Sequence, residues 1–160
     1  MKHVILVLPL MGALAACAGA QATRTSANTM VIDAGAAPAC GSQGAAKVAA
    51  KSAAVETIRA GYDRYIITGA ASQNNVSTTQ MPGQFNTVGS STYIGGGYRS
   101  YSATTTYAPG PTIVSGSHDR QLGVVMFRNG ELGAENAIDA RQTLGVEWAD
   151  LVKSGIHTCL

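Results

Sequence analysis

Residues Ala45–Ala70 read AAKVAAKSAAVETIRAGYDRYIITGA, and the fold follows from how this stretch divides. Ala45 to Gly61 is made of strong helix formers. Within it Val48, Val55, Ile58 and the following Tyr62 recur at spacings of seven, three and four, which puts them on one helical face. Lys47 and Lys51 fall on the side left to water. Ser42 is placed to cap the helix start, and Gly61 stands where a helix end favours a residue that tolerates positive φ. From Tyr62 the period changes. Tyr65, Ile66 and Ile67 put apolar groups on both faces of a strand, the pattern of a strand buried on two sides.

Working outward, Met30-Val31-Ile32 reads as a first strand, and Pro38 bars regular structure up to Cys40. A strand, a helix and a second strand in that order suggest a βαβ unit with a right-handed crossover. Leu122–Phe127, LGVVMF, is again apolar on both faces, and Asn129-Gly130 supplies a turn. The chain closes with a helix over Ala134–Leu144, turning Ala137, Ile138 and Leu144 inward. After a break at Gly145 a second helix runs over Val146–Ser154, stopped by Gly155. Trp148, Leu151 and Val152 share its inner face, so the single tryptophan is expected to be a packing anchor. These elements predict one α+β domain over residues 30–160, with a small mixed or antiparallel sheet packed by two or three helices.

Between the two strong strands, residues 72–117 are rich in Ser, Thr, Asn, Gly and Tyr and poor in aliphatics. Alternation at Tyr101, Ala103, Thr105 and Tyr107 predicts an outer strand over Ser100–Ala108. Thr112–Val114 reads as another, and Gln73–Gln80 as a strand continuing the sheet. Gly89–Gly97, GSSTYIGGG, is low in complexity and reads as a mobile loop.

Charged residues make up 12% of the chain, about half the usual share, and the net charge is only +2. No run of Lys or Arg exceeds one residue, which excludes a nucleic-acid footprint. At the start, Lys2 precedes Val4–Ala16, thirteen mostly apolar residues ending in small ones. That is too short to span a ~30 Å hydrocarbon core and has the anatomy of a secretory signal over residues 1–16. Residues 17–29, beginning Cys17-Ala18-Gly19, show no apolar period and read as a flexible tether. Cys40 and Cys159, in an oxidising compartment, are expected to pair and so tie the start of the domain to its end.

Ser117-His118-Asp119 contains the residue types of a nucleophilic triad, but consecutive residues of an extended chain point to alternate sides and cannot form the relay. His157 and Cys159 do not complete a metal site, so neither metal nor cofactor is expected. Glu131, Glu135 and Asp139 are read as the solvated start of a helix, where negative charge suits the dipole. Tyr93, Tyr98, Tyr101 and Tyr107 are the candidate ligand-binding residues, because aromatic platforms among hydroxyls stack against sugars. The competing reading packs the same tyrosines across a sheet edge.

Leu14-Ala15-Ala16-Cys17 resembles the lipobox of bacterial lipoproteins, which implies acylation of Cys17 and cleavage just before it. AGYDRYII at 60–67, PGPTIVSGSHD at 109–119 and ARQTLG at 140–145 together resemble a group of small proteobacterial envelope lipoproteins of unknown function. That resemblance implies no activity and no catalytic residues. Ala18 and Gly19 after the lipidated cysteine imply sorting to the outer membrane, facing the periplasm. The expected protein is a membrane-anchored, non-enzymatic binding or structural module. Its partners would be membrane lipid through Cys17 and an envelope protein or peptidoglycan through residues 72–117. A redox sensor using Cys40 and Cys159 is a variant, and a small periplasmic hydrolase using His118 is the alternative.

Overall fold

The computed structural model describes residues 17–159; the expected signal segment, residues 1–16, lies outside them. The chain divides into two units, one comprising residues up to Asn75 and from Ser117 onward, the other Val76–Gly116.

The first unit is α+β. Its strands are β1 (Ala18–Arg24), β2 (Thr29–Ala36), β3 (Arg64–Asn74), β8 (His118–Phe127) and the two-residue β9 (Ile138–Asp139). Their order is β1-β2-β8-β3-β9, with every neighbour antiparallel. The helices are α1 (Gly41–Arg59), α2 (Ala140–Leu144) and α3 (Trp148–Ser154). β2 and β3 both run antiparallel to β8, and α1 connects them, so the anticipated strand-helix-strand unit is present but split by β8.

The helical layer covers one sheet face. Met30, Ile32 and Ala34 of β2, Leu122, Val124 and Met126 of β8, and Tyr65 of β3 are buried against Val48, Ala49, Ala53, Ala54 and Val55 of α1. The alternating burial of β8 corrects the expectation of strands enclosed on both sides: Val125 and Phe127 are half-buried, and Ile67 is 37% exposed. An apolar run thus marks a central strand without requiring a second helical layer.

Four further expectations change. The tether at 17–29 is β1 and the turn into β2, because Gly19, Gln21 and Thr23 meet Gly35, Asp33 and Val31 in register and their backbone groups find partners there. The cap of α1 is Cys40, with no side-chain bond, and Ser42 lies inside the helix. Residues 131–137 are turns: Glu131 accepts from the Arg128 amide at 2.8 Å, and Asp139 caps α2 by accepting from the Gln142 amide at 2.9 Å. Ile138 is exposed in β9, whereas Ala137 and Leu144 are buried. Trp148 packs at the core margin with Arg141 5.2 Å above its ring.

The Cys40–Cys159 disulfide is present, with Cα atoms 5.9 Å apart and a sequence separation of 119. A loop of that length corresponds to about 5 kcal/mol of chain entropy removed from the unfolded state. Gly44 lies beneath the bond: a Cβ there would sit 2.7 Å from Cys40 Cβ and 3.1 Å from Cys159 Cβ. Gly44→Ala is therefore expected to destabilise the fold by about 1–3 kcal/mol despite its better helix propensity. Urea unfolding measures this, and an unchanged midpoint would contradict the packing.

The second unit is a two-stranded ribbon. β4 (Ser77–Gln80) pairs with β7 (Thr112–Ser115), and β5 (Gln84–Gly95) with β6 (Tyr98–Ala108). The anticipated mobile loop at Gly89–Gly97 is most of β5 and its turn. Its small polar residues hide the alternation, yet Thr87 bonds Thr105 and Ser90 bonds Ser102, both at 2.9 Å across the ladder. From Ser77↔Ser115 to Tyr93↔Arg99 the register never slips, although 81–83 face 109–111 without a ladder. Pro82, Pro109 and Pro111 cause that gap, since none can donate to a ladder. Gly110 is needed there, because a Cβ on it would collide with the Met81 and Pro82 carbonyls.

Candidate functional site

Three of the four candidate tyrosines share one face of the ribbon. Phe85↔Tyr107, Ser91↔Tyr101 and Tyr93↔Arg99 are cross-strand pairs on that face, and Tyr98 falls on the other side by alternation. The Phe85 and Tyr107 rings lie 4.9 Å apart, tilted by 47°. Tyr107 also covers Gly83, where any Cβ would strike its ring. Tyr93 accepts from the Gly97 amide at 3.2 Å. Tyr101, by contrast, is 77% exposed, and Val88 on the opposite face is 76% exposed. The ribbon therefore presents aromatic and aliphatic groups to solvent on both faces, among hydroxyls.

The residues Ser117, His118 and Asp119 are not assembled into a catalytic relay. β8 begins at His118, which stands between Ala36 and Asn74 in the sheet, while Asp119 stands between Gly35 and Gln73. Alternation sends the two side chains to opposite faces. The Asp119 carboxylate accepts from the Asn75 side-chain amide, and the Ser117 carbonyl accepts from the Asn75 backbone amide at 2.9 Å. This end of the sheet carries a cleft of about 460 Å3 lined by Asp33, Ser72, Gln73, Asp119, Arg120 and Gln121. Gln121 donates to Asp33 at 2.6 Å, and Arg120 Nε is buried without a hydrogen-bond partner. No signal in the sequence points to this cleft, because three strands distant in the chain bring its side chains together only through their register. Among the described residues no group of three or more His, Cys, Asp or Glu side chains could hold a metal ion.

Cys17 occupies a different corner of the first unit. Its thiol is free and exposed, and its backbone is fixed on both sides. The Cys17 carbonyl accepts from the Ala37 amide at 3.0 Å, the Ala18 amide donates to His157 at 3.2 Å, and Cys17 bridges Thr158. The residue next to Thr158 is Cys159 of the disulfide, so the first described residue and the last are held at one place.

The Gly61-Tyr62-Asp63 sequence acts as a joint. Gly61 adopts φ +83°, ending α1 as its residue type anticipates. Tyr62 donates to the Ala27 carbonyl at 3.1 Å, with Arg128 5.4 Å from its ring. Asp63 pairs with Arg141 at 2.8 Å and accepts from the Asn129 amide at 3.2 Å; its own amide donates to Phe127 and its carbonyl accepts from Ala140, both at 3.0 Å. The Arg141 hydrogen bond, then the Asn129 amide, hold the Asp63 carboxyl below its ordinary range. Burial raises the Tyr65 phenol, against the opposing effect of its bond with Thr143. Both shifts come from burial and from bonds that join elements of the fold, so they belong to architecture.

Comparison with protein-family models, curated proteins and solved structures returns no match.

A lowered carboxyl value in the folded state stabilises the fold above the ordinary value near 3.9, and that contribution disappears as pH falls through the lowered value. Asp63→Asn is expected to cost about 1 kcal/mol at pH 7, a modest figure because the Arg141 partner is partly exposed and screened. The deficit should shrink below pH ~4 in urea titrations. A deficit independent of pH would show that the Asp63 charge does not carry the joint.

Proposed function

We propose that this protein is a lipid-anchored component of the bacterial envelope, held at the periplasmic face of the outer membrane through acylated Cys17. It acts as a non-enzymatic binding or structural module. The observation that carries this reading is the position of Cys17, an exposed free thiol fixed immediately before the first strand, β1. An acyl group on its sulfur would meet the fold directly, with no slack between lipid and domain. Two or more acyl chains suffice for stable anchoring without a spanning helix. Among the described residues no helix is long and apolar enough to cross a membrane.

The ribbon supports the binding half of the proposal. Its exposed Tyr98 and Tyr101, with Ser and Thr hydroxyls on both faces, match the chemistry that contacts an envelope protein or a cell-wall sugar. The Cys40–Cys159 bond supports a structural staple over a redox sensor: Cys159 is buried, and Gly44 packs beneath the pair. A His118 hydrolase finds no supporting geometry in the alternation of His118 and Asp119.

Intact mass and membrane fractionation test the anchor. The expected product begins at Cys17, carries added acyl mass and sediments with outer membranes, and Cys17→Ser releases it. An unmodified, soluble wild-type chain would overturn the proposal.

A further inference from the structure

The two units treat their strand edges in opposite ways. In the first, β9 ends the sheet after two residues, and β1 at the other edge, which carries Arg24, after seven. Short edge strands and charges are how sheets avoid pairing with a neighbour. In the second unit, β5 and β6 are both outer edges, since among the described residues their two-stranded sheet contains nothing else. They are 12 and 11 residues long, without proline, and Arg99 is the only charged residue in the whole of 76–116. The prolines that interrupt the ribbon all lie outside these two strands. A two-stranded ribbon alone in water is marginal at best, yet this one is exposed along its full length.

We infer that β5 and β6 pair edge to edge with the ribbons of other copies of this chain, closing a ring of four or more ribbons. The near-absence of charge argues for a second copy as the occupant: like ribbons meet without repulsion, and no charge pattern selects a different partner. The edges match in length, because β6 of one copy and β5 of the next present ladders of about 37 Å at ~3.4 Å per residue. A two-fold pairing of β5 with β5 would leave both β6 edges open, and only closure removes every edge. An eight-stranded barrel has an interior that side chains just fill, which corresponds to four copies. The inference does not depend on lipidation of Cys17.

The test is native mass spectrometry and residue-resolved hydrogen exchange on the full chain in detergent micelles. In an isolated ribbon each strand bonds its partner through alternate amides, so every second amide of β5 and β6 exchanges freely. The expected result is an assembly of at least four copies with consecutive amides, such as Thr87 to Gly89 and Ala103 to Thr105, slowed about tenfold or more. A monomer with alternating protection overturns the inference. A dimer protected on one strand alone overturns it, as does a larger assembly that keeps the alternation.

Discussion

The close approach of α1 to the sheet is the contact on which the first unit depends. Ala45, Ala49, Ala53 and Ala54 are fully enclosed, so at these positions the helix puts only methyl groups against the side chains of β2 and β8. Val48 and Val55 fill what the alanines leave, and Tyr65 and Met126 close the far side. Dispersion and apolar burial act here over a small area, which makes the core sensitive to added volume as much as to lost volume. Gly44 is the extreme case, because the disulfide occupies the space a side chain would take.

From that packed layer the constraints run outward through backbone bonds and one staple. The Asp63 joint receives the end of α1, the start of β3, the end of β8 and the start of α2, so a motif of G-Y-D type has a structural reason independent of chemistry. At another corner the disulfide, Thr158 and Cys17 bring the two ends of the described chain together. A lipid attached there would act on a rigid part of the molecule, and a membrane would then meet the fold at a defined point.

The ribbon has no such core. Its ladder is held by cross-strand threonine and serine pairs and by the Phe85–Tyr107 contact, with Gly83 and Gly110 making room where the prolines interrupt it. Its composition gives up charge and gains hydroxyls and aromatic rings, which suits strand pairing and surface contact. The polar cleft at Asp33, Asp119 and Arg120 belongs to the first unit; its two carboxylates are engaged by Gln121 and Asn75, while Arg120 Nε is buried without a partner.

Helix α1, the strands at Met30, Tyr65 and Leu122, the stop at Gly61 and the role of Trp148 were legible in residue order, because local propensity and apolar spacing act within a few residues. The pairing of Cys40 with Cys159 followed from cysteine count and the expected oxidising compartment. Burial on one face of β8 was not legible, since an apolar run looks the same whether one layer or two cover it. Nor was β1, whose small polar residues are ordered by the partners that β2 offers and not by any tendency of their own. The same holds for β5: GSSTYIGGG has the composition of a loop and becomes a strand because β6 returns beside it, in constant register as far as Tyr93. What the sequence determined alone were the elements that stabilise themselves locally. Only the tertiary structure decided those whose backbone hydrogen bonds are completed by residues far away in the chain.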